Sequence, residues 1–371
     1  MNVTSHISMK QGYTLFLLAG FAPAIRLASS TAAKLGDHAG WVSVIFACLI
    51  YCGLIYILHS LFQLFTGHTN LYDIYKTCFG KLGGNALTAI YTLWIFILIG
   101  FYIRSFAERF LTSIMPSTPI PFFIITLLIL CYILLRGRFE HFARLISICF
   151  YVVCACLLFI FVFNLQNMHL QNFFPVTTLD STRVLRAAYP FTGMFVYITL
   201  LMFIGDEISD RQSFKKLGLQ SAAVLLAANL IIFFSTVGVF GSTLTQKLSL
   251  PFFMSSKIIS IFDSIERLES LFVIIWFITD IAIIVMLSYI LLRLIGKMTN
   301  QPHSHILKTP LLLGLYMFSI YFANNVFELA YFSEKIALAG NIVLCFAVPA
   351  VALGGGWIRK RFIAKRNRSE D

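Results

Sequence analysis

Long apolar runs alternate with short polar links from one end of the chain to the other. A helix needs about 20 mostly apolar residues to cross a bilayer. On that measure the runs predict ten helices, over about 12–34, 41–66, 85–112, 119–136, 142–164, 184–205, 216–241, 266–295, 309–329 and 335–357. The longest link, with Asn172, Pro175 and Asp180, separates the fifth helix from the sixth. The first run begins near Tyr13 after a polar start with Lys10 and shows no small-residue cleavage site, so it is expected to stay as a helix and not to leave as a signal peptide. The pattern therefore predicts an all-α polytopic membrane protein with a single transmembrane domain over 1–371. A first five-helix half spans 12–164, a second spans 184–357, and a basic tail closes the chain at 358–371.

Composition agrees. Hydrophobic residues make up 59% and charged residues 12% of the 371, with 38 Phe; soluble domains carry about 25% charge. A water-soluble fold would leave far too much of this apolar surface exposed. The net charge of +12 would suggest nucleic acid in a soluble protein. Here the cations sit between apolar runs, with neither zinc-finger spacing nor a basic stripe with interleaved aromatics, and nucleic-acid binding is not expected. With the N-terminus inside, 18 of the 28 Lys and Arg fall on the inner side, among them Arg136, Arg138, Arg144, Arg211, Lys215 and the tail. Positive charge concentrates in cytoplasmic loops, so both termini are predicted to be cytoplasmic.

The eight cysteines, all but Cys78 inside apolar runs, are read as packing residues. Cys48 and Cys52 lie one helical turn apart but lack further ligands nearby, and neither a metal nor a cofactor is expected. There is no Walker A loop, HExxH, nucleophile elbow or GxGxxG, so no enzymatic activity is expected.

Two features point to binding. Helix one carries Gly20, Phe21, Ala22 and Pro23 in its middle, and helix six carries Pro190 and Gly193 early in its span. Pro removes a backbone donor and Gly loosens the chain, so both helices are predicted to be broken there. Breaks at matching places in two halves are the sequence signature of a transporter-type site, where a polar ligand or ion can satisfy the freed backbone groups. The second feature is Asp280, the one charged side chain between Leu271 and Leu292. A carboxylate at the bilayer centre costs about 2.5–3.5 kcal/mol on insertion scales, so it is expected to face the bundle interior. Its candidate partners are Arg26, Arg104 or a ligand amine. Glu108 and Arg109 are read as outer-interface charges at the end of helix three, and Glu328 beside Asn324 and Asn325 as a charge near the outer end of helix nine. Glu266, Arg267 and Glu269 open helix eight, where acidic residues favour the helix dipole. Lys247 and Lys257 flank Pro251 in a partly embedded stretch over 248–261, read as a short outer helix.

The run Ser264-Ile-Glu-Arg-Leu-Glu-Ser270, continuing to Trp276, resembles the opening of helix eight in the endospore germination permeases. These are the B subunits of germinant receptors, within the amino acid–polyamine–organocation superfamily. Asn70-Leu-Tyr-Asp-Ile followed by Phe79-Gly-Lys is similar to their link between helices two and three, and Lys257-Ile-Ile-Ser-Ile-Phe262 to the segment before helix eight. The resemblance implies a five-plus-five inverted repeat with a ligand between helices one, three, six and eight. Carried by position, the site comprises Gly20, Phe21, Ala22 and Pro23; Phe101 and Tyr102; Gly193, Phe195 and Tyr197; and Thr279, Asp280 and Ile283. It also implies a larger membrane A subunit and a lipoprotein C subunit as partners, in the spore inner membrane. The function expected is a receptor subunit that binds a small nutrient germinant, an amino acid first among the candidates, and signals to those partners. A proton- or cation-coupled amino acid transporter, with Asp280 as the titratable group, is the alternative.

Overall fold

The computed structural model describes residues 7–259, 269–301 and 306–367. Lipid offers no hydrogen bonds to an open backbone, so a chain this apolar must satisfy its peptide groups locally, and helices do so within one segment. No strand forms among the described residues beyond a single bridge between Ile7 and Ile208.

Seven stretches among the described residues are long and apolar enough to cross a membrane. The first, Met9–Leu64, turns back at Asp37, which adopts φ 53°, and so supplies helices one and two. With the apolar helix Ile120–Arg136 and the shorter Lys308–Tyr321 there are ten rods among the described residues, in the predicted order. Local chemistry starts them. Ser8 and Gln11 form a reciprocal capping box at the first residues of helix one, and Asn70 accepts from the Asp73 amide at the start of the segment Leu71–Ser113. That segment bends at Gly80 (φ 77°, ψ 171°), a conformation open essentially to glycine alone, so its first turns leave the axis of helix three.

Helix one departs from expectation in an instructive way. It does not unwind after Gly20–Pro23. Met9–Pro23 is α-helical, Ala24–Ala28 widens into a π-helical turn, and Ser29–Gly36 resumes the α-helix. Wider backbone closure accommodates the missing proline donor without exposing carbonyls to lipid. Helix six does break, but not where expected: Pro190 and Gly193 stay within the helix Ser181–Phe195, the break falls at a turn through Val196 and Tyr197, and Ile198–Leu201 and a 3-10 segment, Met202–Glu207, continue it. Helix nine ends at Tyr321 and not near 329. Asn325 caps a new helix by accepting from the Glu328 amide, and Glu328 in turn accepts from the Asn324 amide. These residues therefore start helix ten, which contains two π-helical turns, Phe332–Ala337 and Val343–Ala347, and ends in Val348–Asn367.

Helix one packs against helices five, six, seven and eight. Helix two packs on six and seven, three on eight, and four on nine. Large apolar side chains such as Leu93, Ile148 and Leu313 remain outward and exposed, as a lipid-facing perimeter requires. The short helix Pro251–Lys257 precedes helix eight, as predicted for the embedded stretch. Of the residues that carry the family resemblance, 260–268, including Ser264, Glu266 and Arg267, lie outside the described residues.

Candidate functional site

The middle of the bundle is filled and internally bonded. The hydroxyls of Tyr102 and Tyr197 lie 3.0 Å apart. The Asn341 side-chain amide, from helix ten, donates to the Tyr197 hydroxyl at 3.1 Å and to the Gly193 carbonyl at 3.2 Å. Trp94 Nε1 donates to Asn341 Oδ1 at 3.0 Å. The break in helix six thus frees a carbonyl, as anticipated, and an amide from helix ten occupies it. A buried side-chain network of this kind fixes helices three, six and ten in one arrangement.

The residues carried over by position divide accordingly. The structure brings Phe101, Tyr102, Gly193 and Tyr197 together. Phe21 turns to helix five, stacked on Phe150 at 6.1 Å, and Phe195 meets Tyr51 of helix two edge-on at 6.2 Å. Gly20, Ala22, Pro23 and Ile283 are buried. The Thr279 hydroxyl bonds to the Ile275 carbonyl of its own helix.

Asp280 is fully buried, and its partner is neither of the two cations proposed from the sequence. Arg109 Nη2 sits 2.5 Å from Asp280 Oδ2. The reading of Arg109 as an interface charge is therefore corrected. Helix three ends at Ser113, close to the expected position, but its last turns pack on helix eight and turn Arg109 inward, its Nε donating to the Ser105 carbonyl at 3.2 Å. Arg104 pairs with Glu108 at 3.2 Å, one turn apart. Arg26 stands differently: its guanidinium lies 4.7 Å from the Phe101 ring centre and 5.8 Å from that of Tyr102, and its one side-chain hydrogen bond among the described residues is a long one, 3.5 Å, to the Ser333 hydroxyl. Desolvated cation–π contacts of this kind are worth about 2 kcal/mol each, and they hold a guanidinium in place without neutralising it.

Beside Arg26 lies a cavity of about 250 Å³, at the end of the bundle where helices one and three finish and helix ten begins. Arg26, Ser30 and Lys34 of helix one, Ser105, Glu108 and Arg109 of helix three, and Ser333 and Glu334 of helix ten line it, with Leu248–Leu250 as a further wall. Lys34 and Glu334 pair across its rim at 3.1 Å. The π-helical turns of helices one and ten face each other here, joined through Arg26 and Ser333; single π turns inside α-helices recur at functional sites. None of the twelve residues carried over by position lines this cavity. Arg26 and Asn341 could have been found as isolated polar residues in apolar helices. Nothing in the sequence marks Ser105 or Ser333.

The opposite end is closed by charge. Arg293 pairs with Glu207 at 2.8 Å and with Asp206 at 3.4 Å, Lys297 with Asp206 at 2.9 Å, and the Tyr289 hydroxyl donates to Glu207 at 2.6 Å. These contacts tie the end of helix six to helix eight. Ile7 adds a strand-like clasp there: its amide donates to the Glu207 carbonyl, and its own carbonyl accepts from the Ser209 amide.

Ten helical rods among the described residues, a broken sixth helix and a solute-sized cavity lined by apolar and charged side chains define an all-α, multi-pass membrane protein. The chain belongs to the spore germination permease family: the family described as spore germination protein matches residues 6–327. It is similar to spore germination protein KB of Bacillus subtilis (strain 168), at 23% identity over 351 residues covering 91% of this chain and 89% of the relative. It is also similar to spore germination protein A2 of the same organism, at 23% over 256 residues, 67% of this chain and 68% of the relative.

Proposed function

We propose that this chain is the nutrient-sensing membrane subunit of a spore germinant receptor. A small germinant, an amino acid first among the candidates, enters the cavity between helices one, three and ten. Binding then shifts a conformational equilibrium that partner subunits, a larger membrane A subunit and a lipoprotein C subunit, read in the spore inner membrane. The observation that carries this reading is the cavity itself, where two π-helical turns meet over a buried, uncompensated guanidinium. Both termini are placed in the cytoplasm, on the side rich in Lys and Arg, so the cavity opens outward. The packing of helices supports a five-plus-five inverted repeat over 12–164 and 184–357. Exchanging one with six, two with seven, three with eight, four with nine and five with ten maps the contact of two with six onto that of seven with one, and leaves three with eight and four with nine unchanged.

A ligand moves such an equilibrium only by binding one state better than the other. The charge cluster at Asp206, Glu207, Arg293 and Lys297 is the natural element to loosen in the alternative state, and a transporter would have to open it on every cycle. Reconstitution separates the readings. The full chain in liposomes, with and without its partner subunits, is expected to bind a labelled amino acid mixture saturably without concentrating it. Concentrative uptake would replace sensing by transport. Absence of binding even with the partners present would remove nutrient recognition from this subunit.

A further inference from the structure

Buried polar atoms without partners gather around the cavity, and the formal charge there is unbalanced toward the positive. Three of its lining residues, Arg26, Ser105 and Arg109, are more than nine-tenths buried, with 8%, 4% and 6% of their surface exposed. Each has a side-chain atom with no hydrogen-bond partner among the described residues, Arg26 Nε, the Ser105 hydroxyl and Arg109 Nη1, and so do two acceptor oxygens beside them, Asp280 Oδ1 and Glu108 Oε2. The carboxylates nearby are already engaged, Asp280 by the other terminal nitrogen of Arg109, Glu108 by Arg104 and Glu334 by Lys34. Three cations, Arg26, Arg104 and Arg109, thus face two carboxylates, Glu108 and Asp280, and the surplus charge rests on Arg26. Leaving such donors unpaired out of water is costly, more so for charged groups, and a buried cation left without a counter-charge is worse.

We propose that Arg26, Ser105 and Arg109 form a subsite for one carboxylate group of a small ligand. A carboxylate accepts hydrogen bonds and donates none. Its planar pair of oxygens matches guanidinium forks, and its single negative charge equals the surplus. The remainder of the ligand lies against Leu27, Leu250 and Leu329, which line the same cavity and suit a short aliphatic group. Because Arg109 also holds Asp280, an anion on its free nitrogen weakens the hold on Asp280, a direct route from the cavity to helix eight. The assignment deepens the sensing role proposed above and rests on it only for the identity of the ligand as a nutrient.

Trp276 offers a readout, since the Arg109 guanidinium lies 5.7 Å from its ring centre. The purified full chain in detergent is titrated with sodium propionate, with its uncharged analogue propionamide and with sodium nitrate, while tryptophan fluorescence is followed. A saturable response to propionate and none to propionamide is expected. Arg26→Gln should weaken it about thirty-fold or more, the effect of truncating one partner of a buried charge pair. Arg26→Lys and Ser105→Ala should weaken it less, and Trp276→Phe should abolish the signal. No saturable response to propionate, or an unchanged one in both Arg26→Gln and Ser105→Ala, overturns the subsite. Persistence of the signal in Trp276→Phe places the anion elsewhere and overturns it too. Equal affinity for nitrate marks an adventitious ion only and overturns the carboxylate assignment. If propionate fails while the labelled amino acid mixture still binds in liposomes, the subsite falls and the sensing role stands; if both fail, both fall.

Discussion

Replacing Asp280 by alanine should strip the protein of its stable fold, and adding Arg109→Met to an Asp280→Leu variant should bring it back. The pair is buried, 2.5 Å apart, with Asp280 inaccessible and Arg109 at the cavity wall. Removing one member of a buried ion pair costs about 3–5 kcal/mol, because the other charge is left alone, whereas replacing both by apolar residues of similar size is often neutral or stabilising. The lone cation in Asp280→Ala would be Arg109, close to Arg26, so repulsion adds to desolvation. Thermal denaturation of the purified chain in detergent, with immunoblots of membranes, checks this: the single variant should melt lower and accumulate poorly, and the double variant should recover both. Recovery of stability without recovery of the nutrient response would separate the structural role of the pair from its place beside the cavity. A single variant as stable as the parent would mean that the pair is solvated and not interior.

Gly205→Ala should be nearly as damaging, from a change of one methyl group. A Cβ built at Gly205 would lie 2.4 Å from the Thr69 carbonyl oxygen, a backbone atom that cannot rotate away. Overpacking costs about 1–3 kcal/mol when side chains can give, and here the main chain itself must move. The displacement would also pull on Asp206 and Glu207, the next two residues, and so on their bonds to Arg293 and Lys297. The same substitution at Gly53, where an added Cβ would meet nothing within 4 Å, should leave the melting temperature unchanged or raise it, because alanine favours a helix interior by up to about 1 kcal/mol over glycine. Comparison of the two melting temperatures isolates the clash from the propensity.

Much of the fold was legible because the bilayer reduces the choices. Apolar runs of spanning length must be helices, and their number and order follow from the polar links alone. The boundary between helices nine and ten was not legible from apolarity, since Val326–Tyr331 continues the oily pattern; the capping pair Asn325 and Glu328 marks it instead. Pro23 signalled an irregularity, but its form depends on neighbours. In lipid a π-helical turn keeps the carbonyls bonded where an unwound segment would not, and that outcome is settled by packing around helix one. The site was half legible. Phe101, Tyr102, Gly193 and Tyr197 converge because helices three and six pass the bundle axis there, yet Asn341 closes the break that was expected to face a ligand. Arg109 was misplaced because two adjacent charges near a helix end look like an interface; the helix ends where expected, at Ser113, and only its packing on helix eight, with Arg109 against Asp280, shows the residue to be interior. Which cation meets Asp280 depends on helix rotation, which apolar periodicity in a nearly all-apolar helix does not define.

The sensing role stands or falls on whether nutrient occupies the cavity between helices one, three and ten. Ser30 lines it and bonds only to the Leu27 carbonyl of its own helix, so Ser30→Phe fills the space beside Arg26 without removing a bond between helices. Leu93, exposed to lipid, gives a matched control as Leu93→Phe. The decisive measurement is the half-maximal concentration of an amino acid mixture that triggers spores carrying each variant, with the amount of the protein in spore membranes held equal. Ser30→Phe should raise that concentration about tenfold or more, a loss of roughly 1.4 kcal/mol of binding, while Leu93→Phe leaves it unchanged; spores with Ser30→Phe at full abundance that respond at the parent's concentration would contradict it.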